Sequence, residues 1–135
     1  MKGVVSDDTI RRFLKSLPET EARDWIAKAS RPLWSSLPEK YILDWDSTVI
    51  TRYGHQEDAE VGYNPTKRGR PSHHPLMAAV AGTRLCPYYR LRPGDSHTAG
   101  EWRKAMEECL DWLGPQHQPW LNRGDIGFGS ENILS

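Results

Sequence analysis

Two aspartates two residues apart, Asp44 and Asp46, lie inside the stretch Tyr41 to Thr51, and a third, Asp125, follows Leu121-Asn122-Arg123-Gly124. In an extended strand, residues two apart point to the same face, so Asp44 and Asp46 would set two like charges side by side. Such a pair is costly unless it meets water, a cation or a partner. Carboxylates converging from separate strands, with open coordination positions, suit Mg²⁺, a hard cation that prefers oxygen ligands. Gly124, Gly127 and Gly129 surround Asp125 and would let the backbone turn sharply and come close to a ligand. The plainer alternative is that Asp125 caps a turn and Asp44 or Asp46 is merely exposed. Spacing alone leaves both open.

The elements that must position these acids can be read from pattern. Ile42, Leu43, Val49, Ile50 and Thr51 suit a strand that Gly54 ends. Leu76 to Thr83 is a small-apolar run that fits a buried strand, with a short helix as the alternative. Tyr88 to Arg92 is a further strand, closed by Pro93-Gly94-Asp95, whereas residues 54–75 read as a loop or loose hairpin. Thr98 and Glu101 have capping-box spacing ahead of the stripe Trp102, Ala105, Met106, Cys109, Leu110 and Leu113, and Gly114-Pro115 supplies the stop. Pro119 to Asp125 then reads as a short strand and turn, and Ser130 would cap a last helix from Glu131. A β-α-β crossover would make the first and last of these strands parallel neighbours and bring Asp46 and Asp125 to one edge. Ahead of them, Ile10, Phe13, Leu14 and Leu17 predict a short amphipathic packing helix. Ala22, Trp25, Ile26 and Ala29 predict a second helix over 19–29, with an irregular stretch between Pro32 and Pro38.

The chain has 135 residues, room for one ordinary domain, and a mean hydropathy of -0.71 with ten prolines predicts a small core. Its formal charge is zero, but the charges are unevenly spread. No Asp or Glu occurs from Val61 to Gly94, where Lys67, Arg68, Arg70, Arg84, Arg90 and Arg92 all fall. Such a stretch is either an anion-binding surface or a solvated face. Cys86 and Cys109 lack metal-type spacing, and no pair among His55, His73, His74 and His97 has the spacing of zinc ligands. With no signal-peptide pattern and no long apolar run, the expectation is a cytoplasmic protein without a membrane partner.

Five segments then resemble the DDE-type insertion-sequence transposases of bacteria. They are Leu43-Asp44-Trp45-Asp46-Ser47-Thr48, Gly62-Tyr63-Asn64-Pro65, Arg68 through Leu76, Leu91-Arg92-Pro93-Gly94, and Arg123 through Gly129. The resemblance covers about residues 41–134 and rests on the order and spacing of these segments. It implies an α/β, RNase H-like mixed sheet with flanking helices, incomplete at the C-terminus and preceded by short N-terminal helices. Residues 1–40 would be a helical remnant and 41–135 the first part of the catalytic domain. Asp46 would be the first catalytic, metal-holding acid and Asp125 the second, with Mg²⁺ or Mn²⁺ expected only for the complete site. The third acid, a helix-borne glutamate much further along, has no counterpart here, since Glu131 is only six residues beyond Asp125. Lys67, Arg68, Arg70, His73 and His74 would face the phosphates of DNA at an element's ends. The implied activity is metal-dependent DNA cleavage and strand transfer, lost in so short a form. The alternative is a non-catalytic DNA-binding or dimerising fragment, and a homodimer is an open partner.

Overall fold

The computed structural model describes residues 5–125, leaving the side chains of 98–100 aside. The expected helix from Glu131, its cap Ser130, and Gly127 and Gly129 therefore lie outside the described residues, as does the side chain of Thr98. Three helices and two sheets follow in the order α1 (Asp7–Ser16), α2 (Glu19–Trp34), β1 (Ile42–Ser47), β2 (Ile50–Thr51), β3 (Glu60–Val61), β4 (Pro71–His73), β5 (Leu76–Val80), β6 (Tyr88–Arg90), α3 (Thr98–Leu113) and β7 (Leu121–Gly124). The main sheet is mixed, ordered β6-β5-β1-β7, with β1 antiparallel to β5 and parallel to β7. α3 is the crossover between β6 and β7, and its length lets the chain return to lie parallel beside β1.

The main sheet is two-faced. Leu43, Trp45, Leu76, Ala78 and Val80 alternate along β1 and β5 into a core closed by Ala105, Cys109 and Leu113 of α3 and by Trp34 of α2. The residues between them, Asp44, Asp46, Met77 and Ala79, lie on the opposite, more accessible face. The α3 stripe matches its expectation. Its start differs, because His97 is the N-cap without a side-chain hydrogen bond, while Glu101 accepts from Arg92 at 3.3 Å.

Both N-terminal helices depart from their expected faces. α1 has no buried residue, and Ile10, Phe13 and Leu14 are exposed, so its stripe does not pack on the core. α2 continues through Pro32 to Trp34; the lost N–H falls in the last turn, where little helix remains to be disrupted. Its inward side is Ala22, Arg23, Ala27, Ser30 and Trp34, so of the expected Ala22, Trp25, Ile26 and Ala29 only Ala22 is covered and the other three stay exposed. Arg23 is held on this inward side. Its guanidinium reaches Glu108 at 2.6 Å and lies 5.3 Å from the Trp112 ring centroid, so a partly buried charge is both paired and stacked.

The core also holds groups that resist ionisation. Burial, the largest cause in each case, pushes Tyr41, Tyr88 and Cys109 up to about 12. Tyr88 also donates to Glu108 at 2.9 Å, whose negative charge further disfavours a phenolate. Unfolded, cysteine ionises near about 8.5 and tyrosine near about 10. The folded chain keeps these protons longer, so their contribution to stability is complete below about pH 8.5 and is lost as pH climbs towards about 12. Each group costs up to about 1.4 kcal/mol per pH unit once only its unfolded form has ionised. The urea midpoint is expected to hold to about pH 8 and then fall steeply; a flat midpoint up to pH about 11 would show these protons to be unprotected.

Candidate carboxylate edge and basic loop

β1 delivers Asp44 and Asp46 to the accessible face because the pleat alternates around the buried Leu43 and Trp45. On β7, Arg123 stands opposite Asp44 and Gly124 opposite Trp45. Arg123 donates to Asp44 through Nε at 2.7 Å and a terminal nitrogen at 2.8 Å, a bidentate pair that fixes which face both residues share. That hydrogen bond, with the positive charge behind it, holds the Asp44 carboxyl below the usual carboxylate range. The register ends at Trp45 and Gly124, and Asp46 and Asp125 are the residues that follow on the two segments, both exposed. Strands neighbour at about 4.8 Å, so the two acids lie by the ends of adjacent strands, at one edge of the sheet. Both project from the carboxyl ends of parallel strands, where open α/β sheets place their ligands.

Trp45 secures this edge from the core side, its indole N–H donating to Asn122 Oδ1 at 3.1 Å across the β1–β7 pair. Arg92 secures it from the end. Although only 2% exposed, its guanidinium donates to His74 O at 2.9 Å and Ser47 Oγ at 3.0 Å, and meets Glu101 at 3.3 Å. Ser47 follows Asp46 directly, so this arginine braces the strand end that carries the acid. It belongs to no anion-binding surface.

The acid-free stretch is divided by the fold. Arg84 is exposed on the turn after β5, beside Ile42 at the start of β1, whereas Lys67, Arg68 and Arg70 are exposed on the loop that leads into β4 at the other end. This loop joins β3 to β4, which pair antiparallel as the expected loose hairpin, and β2 adds to β4 to complete the small sheet β2-β4-β3. Asn64 organises it. The buried amide donates to Thr51 Oγ1 at 2.9 Å and accepts from the backbone N–H groups of Thr66 at 3.2 Å and Lys67 at 2.8 Å. Arg70 N–H closes the turn onto Lys67 O at 3.2 Å, and Gly69 takes a φ of 73°, a left-handed conformation that suits glycine.

The histidine pair is a correction. His73 is 3% and His74 6% exposed, so neither can face a phosphate. His73 accepts from Arg52 Nε at 2.8 Å through Nδ1, which leaves Nε2 to donate to Glu57 O at 2.8 Å. Its polar atoms are satisfied inside the small sheet. The phosphate-facing set reduces to Lys67, Arg68 and Arg70.

No family model, curated protein or solved structure matches this chain. Among the described residues no helix is long and apolar enough to cross a membrane, and no three metal-type side chains gather in one place. The site therefore rests on Asp46 and Asp125 as a pair. Sequence reasoning gave no role to three residues beside the carboxylate edge or the basic loop. Arg123 and Tyr63 stood inside quoted segments without a role of their own, and Tyr53, exposed like Tyr63 beside the basic loop, carried no sequence signal.

Proposed function

We propose that this chain carries the first two acids of a DDE-type, RNase H-like transposase site, together with the loop that docks that site on DNA. The observation that carries the reading is the parallel β1–β7 pair, whose last rungs, Asp44–Arg123 and Trp45–Gly124, come just before Asp46 and Asp125 on the two segments. Strand order supports it too, since Asp46 lies on β1 and Asp125 directly follows β7, in a sheet where β1 is antiparallel to one neighbour and parallel to the other.

The residues present fit a divalent ion in part. Asp46 and Asp125 offer hard oxygen ligands on an exposed edge, and Mg²⁺ commonly uses one or two carboxylates and keeps several waters. Bound there, such an ion would polarise a phosphodiester and favour ionisation of an attacking water or hydroxyl. Asp44 contributes indirectly. By pairing Arg123 it neutralises a cation two residues from Asp125 that would otherwise repel the ion. Lys67, Arg68 and Arg70 would hold the phosphate backbone and so orient the duplex without reading its sequence.

Mn²⁺ titration of the full chain, followed by the paramagnetic signal of the free ion, tests the acids. Asp46→Ala is expected to weaken binding at least about ten-fold, since even outer-shell substitutions at metal sites cost about that much. Equal affinity in both proteins would remove the metal from the reading. Supercoiled plasmid is expected to stay intact, because among the described residues no third metal-type side chain joins Asp46 and Asp125. Mn²⁺-dependent nicking that vanishes in Asp46→Ala would show that two acids suffice. Duplex affinity is expected to fall with salt at a log–log slope of about -2.7 if three cations each neutralise a phosphate. The second reading, a DNA-binding module without catalysis, is favoured by the engagement of Asp44 with Arg123; it predicts the same slope with no response to Mn²⁺.

A further inference from the structure

Two tyrosines flank the basic loop with their rings in solvent: Tyr53 is 73% and Tyr63 76% exposed. Both follow strands of the small sheet, Tyr53 after β2 and Tyr63 after β3, so the loop between them leads into β4, the central strand. The antiparallel register that pairs Thr51 with Ser72 sets Tyr53 opposite Arg70 when continued two residues, and the Arg70 guanidinium carbon lies 5.8 Å from the Tyr53 ring centroid. On the other side, Tyr63, Pro65 and Arg68 line a cleft of about 380 Å³ together with Gly62, Asn64 and Gly69. Each tyrosine thus has an arginine beside it.

We infer that this end of the small sheet binds an unpaired stretch of DNA, with bases stacking on Tyr53 and Tyr63 and phosphates meeting Lys67, Arg68 and Arg70. The inference rests on the proposed DNA-docking role of the same loop and adds which form of DNA it selects. Inside a duplex the base faces are covered by their neighbours, and phosphate contacts alone would leave both rings in water. Unpaired bases expose π faces, and aromatic side chains in a cationic groove are the general means of holding them. An apolar ring held in water gains most from such a partner. The loop is also fixed in advance, by the three hydrogen bonds of Asn64 and the turn from Lys67 to Arg70, so little ordering entropy opposes binding.

Fluorescence anisotropy on the full chain, with labelled oligothymidine and with a labelled duplex of equal length, tests this. Tyr53→Ala and Tyr63→Ala are each expected to weaken oligothymidine binding about 5- to 100-fold while leaving duplex binding nearly unchanged. Tyr→Phe at either position is expected to restore it, because the ring does the stacking. Both side chains are largely exposed, so the fold should survive either change, and circular dichroism checks that it does. Alanine variants that bind oligothymidine like the unaltered chain, that lose both forms of DNA equally, or that phenylalanine fails to rescue would overturn the inference. If duplex binding keeps its salt slope in those cases, the phosphate-docking reading stands and only stacking falls. If the unaltered chain binds neither form, both fall together.

Discussion

Gly94→Ala is expected to destabilise the protein by about 3–5 kcal/mol, at the upper end for an overpacking substitution. A Cβ there would lie 2.1 Å from Glu60 O, 2.5 Å from Ser72 O and 2.6 Å from Ser72 Oγ. Two of the three obstacles are backbone, which cannot rotate away. The same contact limits Gly62, whose Cβ would lie 1.9 Å from Gly94 O. The Gly62-Tyr63-Asn64-Pro65 and Arg92-Pro93-Gly94 segments thus meet backbone to backbone, closing the small sheet against the strand end of the main one. Gly69→Ala is the control. It has a φ of 73° but nothing within 4 Å of the added carbon, so it should cost only about 1–2 kcal/mol of conformational strain. Thermal unfolding reads both, with about 10–20 °C expected for Gly94→Ala. A shift no larger than that of Gly69→Ala would mean that the two segments do not need their close approach.

Arg92→Ala is expected to cost about 3–4 kcal/mol, the range for removing one partner from a buried charged network. His74 O and Ser47 Oγ would lose their buried donor and a guanidinium-sized space would open. Arg92→Lys is expected to recover little, because a single ammonium cannot reproduce a planar fork aimed at three acceptors. The effect should extend beyond stability. Since Ser47 adjoins Asp46, Mn²⁺ affinity should fall in Arg92→Lys under conditions where circular dichroism shows it folded. Unfolding temperatures for both variants within about 2 °C of the unaltered chain would contradict a buried bracing role.

The β1–β7 pairing and the face that carries Asp44 and Asp46 were legible because their signals are local or nearly so. Asp44 and Asp46 alternate with Leu43 and Trp45, which decides the face, and a helix as long as α3 between strands favours a parallel return, which decides the neighbour. Other features depended on partners far along the chain. His73 and His74 sit among basic residues and looked solvated, yet Arg52 and Glu57, 21 and 16 residues away, satisfy His73 inside the fold. Arg92 was grouped with surface cations because nothing nearby in sequence announces Ser47 or Glu101 as its partners. Strands β2, β3 and β4 have two or three residues each, too short for alternation to register, and their surroundings are rich in turn formers. The α2 stripe was misplaced because a ranking by hydrophobicity cannot foresee that Arg23 will stack on Trp112 and pair with Glu108.

The path from the small sheet into the main one is short. His74 and Pro75 alone separate β4 from β5, and Met77 on β5 stands opposite Asp46. From Arg70 to Met77 is seven residues, and seven residues can bridge no more than about 25 Å even when fully stretched. B-form DNA rises 3.4 Å per base-pair step, so this tether acts as a ruler of at most about seven steps. Under the proposed function, a duplex that touched both the loop and the carboxylate edge would have those two contacts within about that many steps of each other, whatever its sequence.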